Sequence, residues 1–423
     1  MPAGNTSGIG VLVVTDPIPL VVISRSVVPA SACDLWIIIG NRWVSSRVVY
    51  LGLVTVITIN GTWDPEHNVF PIGTNEYKAG DQLELFALDS SDQLVQFSSE
   101  IREIGPLLSP TFMPPRSRAT NVEVLYMSGS RTTNDGVLLD RDDKSVLALW
   151  LTVDRSKVGL DYNRYVRPII EALQNRAGNH NRSCGWQFSF MPVTDAVNLG
   201  LDEERATDIT DLGNRANVAN RCFYVAAKLH PIREETLKLG DIILEVNGKK
   251  IIRMADIHTL SGSEAVQAVV LRGREQISLR VETECLPSAL LSRIIFWAGA
   301  VLHETHQAAL ELTAPEFEVI AKREGITNIW DAVYVSGTML GSPAYIGIIQ
   351  SSWILEVDGR PVRTMDDMVT VVQILKNQLQ HVRVKMLARN GNISVLSVRP
   401  GSKFWPPWML EWKDMEWHRT EFA

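Results

Sequence analysis

Histidine is absent from the first 66 residues of this chain, and the whole 423-residue sequence has only eight. Any chemistry that needs an early imidazole base finds none there. Cysteine is almost as scarce. Cys33, Cys184, Cys222 and Cys285 lie far apart and never in CxxC spacing. That excludes a zinc ribbon or a disulfide framework and points to free thiols in a reducing, intracellular compartment. No run of Lys and Arg stands out, and the formal charge is -7. Phosphate-binding surfaces need a clustered basic excess, so no nucleic-acid partner is expected. A long uninterrupted apolar run is missing too. The stretch "IGVLVVTDPIPLVVIS" is broken by Asp16, Pro17 and Pro19 and has no basic residues before it, so neither a signal peptide nor a membrane partner is expected.

The chain is too long for one core, and its apolar share of 45% can fill several. Over the first 155 or so residues, short β-branched runs such as "LVVISRSVV", "LWIII", "LVTVITIN", "DQLELFAL" and "VLALWLTV" alternate with Pro, Gly, Asn and Asp. This pattern predicts an all-β barrel or sandwich. The Pro-rich "GPLLSPTFMPPRSR" reads as a connection within it. The period then changes. In "YNRYVRPIIEALQNR", Tyr165, Ile169 and Leu173 repeat every fourth residue, which predicts an amphipathic helix with Pro168 in its first turn.

Beyond the helix one pattern occurs twice. "CFYVAAKL" leads to "LGDIILEVNGKKI", a short helical piece around "MADIHTL" and the hairpin "VQAVVLRGREQISLRV". "AVYVSGTML" leads to "SSWILEVDGRPV", the helix "TMDDMVTVVQILK" and the hairpin "HVRVKMLARNGNISVLSV". Asn247-Gly248 and Asp358-Gly359 both supply the positive φ angles of a tight turn. The same order of strand, turn, helix and hairpin means one domain type built twice. A tail, "KFWPPWMLEWKDMEWHR", carries four of the twelve tryptophans; it reads as packing back on its own domain rather than as a partner surface.

"LGDIILEVNGKKI" resembles the signature of the PDZ domains of HtrA (DegP-like) serine proteases, and "YVRPIIEALQ" resembles the helix that joins protease to PDZ domain there. "GIGVLVVTDPIPLVVISRSVVP" resembles the stretch with the family's catalytic histidine. The whole order is similar to the C-terminal half of fungal nuclear, apoptosis-associated members, whose protease-PDZ plan is duplicated with an active first unit and an inactive second. The resemblance implies a mainly β chain with α+β modules: a degenerate, N-terminally truncated trypsin-like double β-barrel over 1–155, a linker helix and first PDZ-like domain over 156–284, a second over 285–400 and the tail over 401–423. A barrel that starts directly at "GIGVLVV" lacks the preceding strand and leaves a sheet edge unpaired, so a fragment, a truncated gene product, or a paralogue that docks on another chain is expected.

A trypsin-like triad needs Ser, His and Asp. In the resemblance the His position falls on Ser26 or Val27 in "SRSVV", the Asp position falls near Leu53, and the "GNSGGP" nucleophile loop is represented by "YMSGSRTTNDGVLL", with Ser128 and Ser130 its nearest hydroxyls. Without a base these serines are poor nucleophiles, so no catalytic residue is assigned. His67, in "WDPEHNVFP", reads as a surface residue. His303 and His306 in "LHETH" do not follow the HExxH order, so no metal and no cofactor is expected. What remains is strand capture, in which a PDZ domain adds a peptide to a sheet edge and holds its carboxylate in a loop of backbone N–H groups. The resemblance places that loop on Gly185, Trp186, Gln187 and Phe188 in the first copy and on Trp297, Ala298, Gly299 and Ala300 in the second, with Met368 and Val372 on the groove helix; core filling is the other reading of those two. The implied partners are protein or peptide C-termini, with an active protease half or a second copy as further alternatives, in the nucleus or cytoplasm. The expected function is a non-catalytic peptide-binding or scaffold role in quality control or apoptosis, the alternative being an active serine endopeptidase.

Overall fold

The computed structural model describes residues 8–14, 19–39, 42–59, 71–89, 91, 93–111, 115, 117–129, 133–153, 156–175, 182–232, 236–257, 263–311, 313–376, 380–401, 403–413 and 416–422. The fold is mainly β, with a trypsin-like pair of lobes followed by two PDZ-like modules. The first lobe is a half-barrel, an open five-stranded antiparallel sheet in the order Gly10–Val14, Leu20–Ser24, Val54–Ile59, Arg42–Leu51, Leu35–Ile39. The second is a closed six-stranded barrel of Val146–Val153, Ser156–Asp161, Glu123–Met127, Leu94–Pro106, Gln82–Asp89 and Thr133–Asp140.

The strands Leu20–Ser24 and Val54–Ile59 are buried at every position, and the period of two explains why they carry no polar alternation. Leu20, Val22, Val54 and Val56 face one way and join barrel residues such as Val137, Leu149 and Leu160 in a core shared by the two lobes. Val21, Ile23, Ile57 and Ile59 face the other way into a separate cluster beneath the sheet. The linker begins at Asp161, whose carboxylate accepts the Arg164 N–H at 2.8 Å, and runs as one wide turn, Tyr162–Val166, before the α-helix Arg167–Gln174 with Pro168 in its first turn. Tyr165, Val166 and Ile170 close the barrel core.

The repeat forms two sheets with the same strand order. In the first, Trp186–Pro192, Arg221–Lys228, Ile242–Val246, Ala265–Arg272 and Glu275–Glu282 are neighbours in that order. In the second, Ala300–Glu304, Val333–Thr338, Ser352–Val357, Val382–Ala388 and Ile393–Val398 follow the same path. Asn247 (φ 49°) and Asp358 (φ 51°) precede Gly248 and Gly359 (both φ 77°) in the twin turns. The second sheet continues outward through Arg293–Trp297 and the tail hairpin Trp408–Lys413 and Glu416–Glu421. Helices also fill positions that the repeat pattern does not announce, above all Glu203–Arg215. Among the described residues no helix is long and apolar enough to cross a membrane.

Candidate functional site

The base position of the resembled triad lies at the end of the strand Leu20–Ser24, where the lobes meet. The Ser24 hydroxyl donates to the Thr152 carbonyl of the barrel at 2.6 Å, so the Ser26 hydroxyl, 2.7 Å away, donates to Ser24 Oγ. The Thr152 N–H in turn donates to Asp135 Oδ1 at 3.0 Å. Asp135 Oδ1 also accepts the Thr152 hydroxyl at 3.2 Å and the Lys157 ammonium at 2.5 Å. A polar chain therefore runs from Ser26 to Lys157 across the contact between the two lobes. Leu53 is a half-buried side chain packed against the shared core.

Asp135 is the residue that the sequence reading missed. The sequence carried a signal: Asn134-Asp135-Gly136 resembles the Asn-Ser-Gly of "GNSGGP" in its first and third residues, with an acid between them. Gly136 is required by close approach, because a Cβ there would lie 2.0 Å from the Phe86 carbonyl oxygen. Asp135 is buried, and its Oδ2 is buried too with no hydrogen-bond partner. Ser128 sits instead on the turn after Glu123–Met127, where its N–H donates to the Glu100 carbonyl and its carbonyl accepts the Ser99 hydroxyl. Ser130 and His67 lie outside the described residues.

The described histidines are engaged elsewhere. His230 Nδ1 lies 2.8 Å from the Pro231 carbonyl and therefore carries the proton, leaving Nε2 to accept the Ser183 hydroxyl at 2.9 Å. Burial pushes its pKa down. His303 Nδ1 donates to the Glu304 carbonyl at 2.6 Å, and its ring centroid is 5.6 Å from that of His306. Burial, with His303 beside it, pushes His306 down to about 3. Among the described residues no three metal-ligating side chains converge.

The two peptide-loop candidates differ. In the first module Gly185 (φ 77°) receives the Leu229 N–H at its carbonyl and donates its own N–H to Ser183 Oγ. The strand that follows, Trp186–Pro192, is the edge of its sheet. Its groups are nonetheless engaged. The Asn121 amide of the barrel donates to the Trp186 carbonyl and accepts the Phe188 N–H, both at 2.8 Å, and Arg118 donates to the Gln187 side chain at 2.7 Å. In the second module Trp297, Ala298, Gly299 and Ala300 make a two-residue hairpin turn, with Trp297 paired to Ala300 and φ of 53° and 87° at the corner residues. All four are buried, and a Cβ on Gly299 would lie 2.1 Å from Ser342 Cβ. Met368 and Val372 are fully buried in that module's core, against the same sheet. The tail seals this end, with Trp408 stacked on Phe296 at a centroid distance of 3.6 Å.

No family model matches the chain. The pro-apoptotic serine protease NMA111 of Chaetomium globosum is 25% identical over 432 residues, covering 96% of this chain and 40% of the relative. NMA111 of Phaeosphaeria nodorum is 24% identical over 426 residues, with the same two coverages. The chain thus resembles HtrA-like proteases over nearly all its own length and spans about two fifths of these curated relatives. Among solved structures, the HtrA-type protease AlgW with a tripeptide has a TM-score of 0.43 at 14% identity, covering 67% of this chain and 90% of that one. AlgW with a decapeptide has a TM-score of 0.42 at 13% identity, covering 66% and 83%.

Proposed function

We propose that this chain is a non-catalytic relative of HtrA-type serine proteases that acts as a scaffold, with a capacity for peptide capture confined to its first PDZ-like module. In this reading the chain divides near residues 155, 284 and 400 and works in a reducing compartment, nucleus or cytoplasm, on protein or peptide C-termini. The observation that carries the reading is Asp135. A carboxylate has no proton for a base to remove, and its attack on a peptide would give an anhydride rather than the ester of a serine hydrolase. The Lys157 ion pair and the Thr152 N–H further satisfy its charge.

The confinement to the first module follows from strand addition. A peptide adds to an unpaired edge, whereas Ala300–Glu304 has Val333–Thr338 on one side and Arg293–Trp297 on the other.

The names of the curated relatives favour a second reading, an active endopeptidase working through Ser128 or Ser130. A fluorophosphonate probe, which esterifies activated serines, separates the two. The intact chain is expected to label no more than its heat-denatured form. Strong labelling lost on Ser128→Ala or Ser130→Ala would overturn the proposal.

A further inference from the structure

We propose that residues 118–123 of the barrel are a built-in occupant of the first module's strand-addition edge and deny it to any external strand while they stay seated. The inference rests on the peptide-capture reading above and names how that site is regulated. The edge strand Trp186–Pro192 is paired with Arg221–Lys228 on one side only. On its other side, the carbonyl of Trp186 and the N–H of Phe188 are the groups that an added strand would bond. Asn121 bonds both with one side-chain amide, a group chemically equivalent to a peptide unit.

The rest of the segment continues across the module. Arg118 holds Gln187 at one end. At the other end, the buried Glu123 carboxylate takes the Arg253 guanidinium through Nε at 3.0 Å and through Nη2, and faces the Ala255 N–H at 3.5 Å, where the short helix Met254–Ile257 begins. Residues 118–123 thus hold both the strand edge and the start of the short helix through their side chains. Asn121 holds φ 58°, a left-handed angle that asparagine tolerates better than most residues. A second link fixes the plug from outside. Arg118 is nearly fully buried and also pairs with Glu311 of the second module at 2.7 Å, so both modules share the residue next to the occupied edge.

The hold on the edge itself is reversible by design of its bonds. Each neutral hydrogen bond is worth about a fivefold factor, so two of them close the edge without making it permanent. The second module differs, since its added strand belongs to the same hairpin as the edge it covers.

The test uses the full chain and the variant Asn121→Gly, which keeps the left-handed backbone and removes the amide. Fluorescent decapeptides ending in a free valine carboxylate, with amidated copies as controls, are titrated by anisotropy, and exchange of the Phe188 amide is followed without peptide. We expect Phe188 to exchange at least tenfold faster in Asn121→Gly and the free-carboxylate peptides to bind it at least tenfold more tightly than the wild type. Asn121→Asp, which keeps the acceptor for Phe188 and loses the donor to Trp186, should leave Phe188 protected. Unchanged exchange in Asn121→Gly, or measurable peptide binding of equal affinity in wild type and variant, overturns the proposal. Faster exchange with no peptide bound by either form leaves the occupancy standing and removes the peptide-capture reading instead.

Discussion

The two modules share a strand order and a turn but solve the same problem in different ways. Each must satisfy the outer groups of the strand that begins its sheet. The first borrows a side-chain amide from the barrel, Asn121. The second supplies a backbone strand of its own, Arg293–Trp297, and then extends it with the tail hairpin.

Their inner anchors differ in the same spirit. In the first module, Asp241 is buried and takes Arg272 through both oxygens at 2.7 Å, together with the Lys238 N–H. In the second, Ser352 stands in its place, and the buried Trp353 beside it donates its indole N–H to Thr305 at 2.8 Å and packs on Tyr334 and Phe317. Gly240 (φ 87°) and Ser351 (φ 61°) keep the same backbone corner in both. A duplicated fold therefore preserves its backbone path while charge in one copy is replaced by aromatic packing in the other. The outer edge is thus held by side chains in one copy and by backbone in the other.

The comparison can be broken most forcefully at the junction. Arg118→Met takes from the buried Glu311 its 2.7 Å guanidinium partner, a cost of at most about 3 kcal/mol, and should lower the melting temperature while the double variant Arg118→Met with Glu311→Leu recovers most of the loss. Full additivity of the two substitutions would mean that the pair does not couple the modules. A smaller effect separates the modules by pH. Burial holds His303 and His306 of the second module below the ordinary histidine pKa, His306 at about 3. Both stay neutral when folded and take protons when unfolded, so the stability they contribute is fully present above about pH 6.5 and is lost as pH falls from there toward 3. His306→Gln should flatten that acid-side loss in melting temperature; a slope equal to wild type would remove His306 from the account.

Much of this architecture was legible. The double "LEV(N/D)G" turn and its hairpins announce a repeated sheet because strand period and turn chemistry are local properties. The helix Glu203–Arg215 was not legible, since it is largely polar and buries little beyond Ile209 and Gly213. Packing against the sheet, not periodicity, stabilises it. The tail was read as packing on its own domain; it adds strands to that domain's sheet, and its Trp417 also donates to the Ser31 carbonyl of the first lobe at 3.3 Å, and pairing to residues more than a hundred positions away leaves no mark in its own composition. Asp135 was hidden for a different reason: a search for hydroxyls passes over an acid. Asn121 had no signal at all, because its role depends on a contact with a strand 65 residues further on.

The central claim is that the first edge is held by side chains and the second by backbone. Hydrogen exchange on the intact wild-type chain measures this directly, by comparing the segment 186–192 with the segment 300–304. The account predicts that 186–192 exchanges at least tenfold faster, through local opening of the barrel contact, while 300–304 opens only with its whole sheet. Equal protection of the two segments, or slower exchange in 186–192, would contradict it.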